Sequence, residues 1–390
     1  MCGDKTMQQT KQSFFSKAGV ILLAVFAFFI FIGKFALYGV EGTPKPSVDK
    51  KIHQVHIVGE NLSADYAVLQ LSTRKEPAYD VQNQQSFIKS DMQANVSFSS
   101  SFSPVAVFLL RPFQQLPYLN FVQQWLLTGV FFYSLALYLF LPLKKVLFFL
   151  FASPALTLSA VSGGWGLYLA FAVVFVLYIK PERFAVTAFF YGLTVCSFPT
   201  FLVLGALLAW RKQYKSLVCG GVFAVFLAIM AISNVSFPVF KEAVKAAFLM
   251  PTQNPCAYAS FYTMFLCNGA SVYVAGAVWG AVVSLLIYYG VKIARIRGDD
   301  ALLNAYVCAS LPILFIGALP SAFALTCVSC IILWHFYGRT DSSEEFKTAL
   351  VASFILPFFD TLFVQKTGFS LLPFISAFWA RFCVQKSLLV

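Results

Sequence analysis

Apolar runs of about 20 residues recur along this chain, and no other feature restricts its fold as much. A helix of about 20 residues crosses roughly 30 Å of hydrocarbon. Backbone groups in lipid must pair within their own segment, which leaves helices as the spanning form. Only 11% of the residues are charged, against about 25% in a soluble domain. The sequence therefore predicts an all-α polytopic membrane protein, a single transmembrane domain over residues 1–390. About twelve spans are expected, near 18–39, 118–141, 146–161, 165–179, 184–196, 199–210, 216–234, 270–291, 302–318, 321–337, 347–362 and 369–384.

Charge orients these spans. Lys144, Lys145, Lys180, Arg183, Arg211, Lys212, Lys215, Lys292, Arg295 and Arg297 then fall on loops of one side, the cytoplasmic side by the positive-inside rule. A single helix through 184–210 would put Arg211, Lys212 and Lys215 outside, so a break is expected at Ser197 and Pro199. The net charge of +12 is thus an orientation signal and does not imply nucleic-acid binding. Both termini are expected in the cytoplasm, and the first span reads as a retained helix rather than a cleaved signal. Most of the nine Cys fall within predicted spans. Cys327 and Cys330 read as packing residues despite their redox-motif spacing, and only Cys256 and Cys267 are placed to pair.

Polar sequence gathers outside the membrane in two loops, about 41–103 and 235–269. Cytoplasmic loops are short, and no Walker or dinucleotide glycine-rich loop occurs. Chemistry is therefore expected at the outer face, on a substrate that needs no cytoplasmic nucleotide site. Two short amphipathic helices are expected there. One is IVGENLSADYAVLQL, which carries Asp65; the other is PVFKEAVKAAFLMP, which carries Lys241 and Lys245. Asp80 and Asp91 read as solvated loop residues, and His53 and His56 as loop residues rather than a metal pair; no metal or other cofactor is expected.

Short motifs then point to a family. Ala64-Asp65-Tyr66-Ala67-Val68 resembles the Asp-Phe-x-Val-Tyr region of glycosyltransferase family 87, an integral-membrane family of the GT-C superfamily. Phe102-Ser103-Pro104-Val105 stands where that family has Tyr-Pro-Pro-Leu, and Leu109-Leu110-Arg111-Pro112 with Leu116-Pro117 follows its rhythm. Ser197-Phe198-Pro199 followed by Arg211-Lys212 resembles its Lys-Pro-x-Pro hairpin, and Asn268-Gly269-Ala270-Ser271 its Asn-Gln-Ser stretch. Departures occur at Cys196, where the family has Lys, and at Gly164 and Gly166, where Gln and Asn are common. The segment from Leu319 to Phe323 lacks the Trp and His often found there.

The resemblance implies a GT-C fold with a helical first outer loop. It also implies transfer of a hexose (mannose-like) or a pentose from a polyprenyl-phosphate donor to a lipid-linked or glycan acceptor, with inversion. The partners would be the donor, the acceptor and membrane lipids, in a bacterial inner membrane with the site facing out, or in the ER membrane of a eukaryote.

Under that reading Asp65 is the general base, with helix capping or plain solvation as the alternatives. Arg111 contacts phosphate through its planar fork or is a snorkelling structural Arg. Lys241 and Lys245 form a cationic ledge for a lipid phosphate or lie on an interfacial packing helix. Lys366 holds phosphate or pairs with Asp360. The resemblance adds Tyr66 and Asn268 as substrate-binding residues. Two rival classes are a lipid or small-solute transporter or flippase, and a non-catalytic membrane subunit. No repeat between halves supports a transporter.

Overall fold

The computed structural model describes residues 60–92, 104–138, 141–143, 146, 150, 165–178, 183–197, 204–205, 208–209, 212–235, 237–253, 261–297 and 371. Apart from isolated positions, the expected spans at 18–39, 146–161, 302–318, 321–337, 347–362 and 369–384 lie outside the described residues. So do His53, His56, Cys256, Cys327, Cys330, Asp360 and Lys366.

The described secondary structure is helical and contains no strand. In chain order the helices are α1 Glu60–Thr73, α2 Val81–Asp91, α3 Pro104–Leu110, α4 Tyr118–Tyr138, α5 Gly166–Tyr178, α6 Phe184–Ser197, α7 Tyr214–Val235, α8 Phe237–Gln253, α9 Phe261–Cys267 and α10 Val272–Arg297. A 3-10 turn at Arg111–Phe113 follows α3. Helices α4, α5, α6, α7 and α10 occupy predicted spans. One of the described helices, over 214–233, is long and apolar enough to cross a membrane. Helices α5 and α6 have 13 and 14 residues, short of the roughly 20 a perpendicular crossing takes.

Large apolar side chains stand exposed in helical stripes. On α7 they are Val218, Val222, Val225, Phe226 and Ile229, and on α4 Leu127, Phe131, Leu135 and Tyr138. Recurrence every three to four residues puts each set on one helix face.

Aromatic and small residues pack the interior. Gly129 of α4 lets Leu167 and Tyr168 of α5 approach closely, and the Tyr168 hydroxyl donates to the Trp125 carbonyl at 2.8 Å. Phe171 and Phe175 of α5 pack on Phe190 of α6, with ring centroids 5.2 and 4.9 Å apart. Helices α6 and α7 pack through Ala188, Gly192 and Gly220, small residues of the kind that let helix backbones touch.

That pairing also bears on the break at Pro199. Helix α6 ends at Ser197, and Gly205 lies against the Tyr191 hydroxyl and Leu217. A straight helix would put residue 205 about 21 Å beyond residue 191. The chain therefore turns back after Ser197, and α6 and α7 run parallel.

One end of this bundle carries the upstream helices. Val105 of α3 packs against Leu227 and Ala231 near the end of α7, beside Phe108, Leu193 and Phe223. Tyr66 of α1 meets Tyr118 and Phe121 at the start of α4, both at 5.4 Å between centroids. The starts of α4 and α5 and the end of α7 thus lie together, as the sequence-based threading places them. Lys212 and Lys215 stand at the opposite end of α7.

Two expectations for this region are corrected. Helix α1 is not half-exposed: Leu62, Ser63, Ala64, Asp65, Ala67, Val68, Leu69 and Leu71 are all buried. Its small residues let neighbours close over the side that an amphipathic helix leaves wet. Residues 81–91 are helical rather than loop. Asp80 caps α2 by accepting from the Gln82 N–H at 3.0 Å.

Asp91 also has partners. It accepts from the Ser90 hydroxyl at 2.8 Å and pairs with Arg74 at 2.7 Å, and the Arg74 guanidinium lies over the Phe87 ring. Ser90 first, and then Arg74, hold the Asp91 carboxyl below the usual carboxylate range. Its folded-state proton affinity is depressed, so its contribution to stability is present at neutral pH and is lost as pH falls below about 4. Both partners are well exposed, so Asp91→Asn should lower stability by less than about 1 kcal/mol at pH 7. Urea unfolding at pH 7 and pH 3 checks this: the difference from the native protein should shrink at the lower pH.

Candidate active site around Asp65

Asp65 is the sixth residue of α1 and is completely buried. A mid-helix position removes the capping alternative, and burial removes plain solvation. Its Oδ2 accepts a hydrogen bond from the Trp165 indole N–H at 3.1 Å. Trp165 stands immediately before α5, where its carbonyl accepts from the Leu169 N–H and opens the helix. The flanking Gly164 and Gly166 leave room for a bulky ring at this junction.

Aromatic rings wall the site. Trp125 meets Trp165 edge-on at 4.7 Å and lies 4.2 Å from Tyr168, with Phe113 and Phe121 beyond it. Tyr79, in the turn between α1 and α2, is buried as well. Burial, and then the charge of Asp65, push the ionisation of the Tyr79 hydroxyl well above its ordinary range.

Beside Asp65, the Tyr66 hydroxyl donates to the Leu116 carbonyl at 2.9 Å. Burial raises its ionisation as the leading cause, against opposing effects from Gln70 and Arg74. One turn on, the Gln70 amide donates to the Gln114 carbonyl at 2.8 Å. These two bonds pin α1 to the turn at 111–117. Arg111 opens that turn and is exposed, so a cation stands on the segment latched to the helix of Asp65.

The other expected site residues lie on different elements. Lys241 and Lys245 are exposed on α8, one turn apart and so on one face, with Glu242 between them. The Asn268 amide donates to the Met264 carbonyl at 2.9 Å and closes the end of α9, where Gly269 takes φ +83°, a conformation that favours glycine. Lys366 lies outside the described residues.

Cys267 is disulfide-bonded, and the side chain of its partner lies outside the described residues, as does the expected partner Cys256. Disulfides persist in oxidising compartments, which accords with the outer placement of that loop. Among the described residues, no three His, Cys, Asp or Glu side chains gather to hold a metal ion.

Trp165, Trp125 and Tyr79 were not singled out from the sequence. For Trp165 the available signal was a bulky ring among glycines at the start of a predicted span. Tyr79 sat in Pro77-Ala78-Tyr79-Asp80, which reads as a polar turn.

Comparison with known protein families, characterised proteins and solved structures finds no match to this chain.

Proposed function

We propose that this chain is a polytopic membrane glycosyltransferase of GT-C type. It would transfer a mannose-like hexose or a pentose from a polyprenyl-phosphate donor to a hydroxyl of a lipid-linked or glycan acceptor, at the outer face of a bacterial plasma membrane or of the ER membrane. The observation that carries this reading is the buried Asp65 carboxylate among Trp165, Trp125 and Tyr168, next to a turn that presents Arg111. Aromatic faces suit the C–H faces of a sugar ring, and a carboxylate suits its hydroxyls. The exposed apolar stripes on α4 and α7 suit a lipid surround, which would let a lipid-linked donor arrive laterally.

In the reaction, the acceptor O–H gives its proton to Asp65 and its oxygen bonds to the sugar's anomeric carbon from the face opposite the phosphate. The bond from carbon to phosphate oxygen breaks, and polyprenyl phosphate leaves with the electron pair. Arg111, Lys241 and Lys245 offer positive charge to that leaving group. Asp65 is enclosed, so the acceptor must part α1 from the 111–117 turn, breaking the bonds from Tyr66 and Gln70.

Full enclosure of Asp65 also favours a second reading, a non-catalytic membrane subunit in which the Asp65–Trp165 bond is only a tie. Incubating purified protein with a panel of labelled polyprenyl-phosphate sugars and a total lipid extract separates the two. Labelled glycolipid is the expected result, and no product from any donor sinks the transferase reading.

For Arg111, replacement by Ala should weaken donor use more than replacement by Lys, because only Arg offers a planar fork to phosphate oxygens. The donor KM in the same assay checks this. Equal values for the two variants and the native chain would remove Arg111 from the site.

A further inference from the structure

Tyr79 carries a polar group with no evident structural use. Its side chain is buried, and its hydroxyl has no hydrogen-bond partner. Such a hydroxyl is penalised relative to a phenylalanine of the same shape, so its presence calls for something that it bonds. Its neighbour in the interior is Asp65, whose charge the hydroxyl senses. The Trp165 N–H takes one acceptor position of that carboxylate.

The chemistry of the pair selects what fits between them. A partner must donate to a carboxylate and accept from a phenol. An ammonium group cannot accept, and an anion is repelled by Asp65. An alcohol does both.

We propose that Tyr79 is a positioning residue that holds the acceptor's hydroxyl in front of Asp65, the phenol donating to the hydroxyl oxygen while the hydroxyl proton points at the carboxylate. The bond from Tyr79 uses one lone pair of that oxygen and leaves the other aimed at the sugar carbon. Its effect is on orientation rather than on proton transfer. This inference rests on the glycosyl-transfer reading and narrows it to an acceptor that presents an alcohol.

The test is Tyr79→Phe in the full-length purified chain, assayed beside Asp65→Asn with the labelled polyprenyl-phosphate sugar and lipid extract that yield product. The expected result is an acceptor KM raised about tenfold, the worth of one hydrogen bond, with donor KM unchanged. The melting temperature should stay level or rise, because the orphaned hydroxyl is gone. If Asp65→Asn abolishes transfer while Tyr79→Phe leaves acceptor KM unaltered, the proposal is overturned and the transfer reading stands. If the native chain makes no product, or Asp65→Asn transfers normally, the transfer reading itself fails and takes this proposal with it. A lowered melting temperature with unaltered acceptor KM marks Tyr79 as structural, and also overturns the proposal.

Discussion

Asp65→Asn is expected to lower sugar transfer by about 10²–10⁴-fold, the usual contribution of a general base, while the protein keeps its fold. The substitution separates the two roles that this residue could have. An Asn side-chain oxygen still accepts from the Trp165 N–H, so the tie between α1 and the start of α5 survives. What is lost is the capacity to take a proton. Asp65→Leu removes the tie as well. It leaves a buried indole N–H unsatisfied and should destabilise by about 1–3 kcal/mol. Asp65→Glu should recover little activity, since a further methylene in a fully enclosed site forces its neighbours apart at about 1–3 kcal/mol. Turnover and melting temperature for the three variants decide the matter. Near-normal transfer by the Asn variant would leave Asp65 as a structural tie, and a loss of transfer in Asp80→Asn or Asp91→Asn instead would move the base to α2.

The positions of the long helices were legible in the sequence, because apolar length and flanking charge are local signals. Helices α4, α6 and α7 begin and end within a few residues of the predicted spans, and the break at Ser197 followed from the charges after Trp210. A helix in the second outer loop was likewise visible in the sequence around Lys241 and Lys245. What sequence reasoning missed depends on contacts between distant residues. Asp65 and Trp165 are 100 positions apart, and no local pattern at either residue reports the other. The burial of α1 has the same origin. Its own sequence resembles a half-wet helix, and it becomes an interior one only because α2, α3 and α4 close around it. Tyr66 and Asn268 show how a motif identifies a residue without its bonding: both side chains donate to backbone carbonyls and hold turns in place.

Gly192→Ala and Gly220→Ala are expected to destabilise the protein although each adds a single methyl group. In helices, replacing Gly by Ala ordinarily stabilises by about 0.5–1 kcal/mol. Here a Cβ on residue 192 would stand 2.6 Å from the Gly220 carbonyl oxygen. One on residue 220 would stand 2.9 Å from the Ala188 carbonyl oxygen and 2.6 Å from the Tyr191 ring. Backbone oxygens cannot rotate aside as the end of a flexible side chain can, so α6 and α7 must separate. Overpacking of this kind costs about 1–3 kcal/mol, which outweighs the propensity gain. Gly221→Ala is the internal control, because a Cβ there meets nothing within 4 Å and only the gain remains. Thermal unfolding in detergent should therefore rank Gly221→Ala at or above the native chain and the other two below it. Indistinguishable melting curves for all three would mean that the helices do not approach so closely. The same pair of helices supports α3 through Leu193, Phe223, Leu227 and Ala231, and α3 leads into the turn that carries Arg111. Separating α6 from α7 should then reduce transfer by more than the loss of folded protein accounts for.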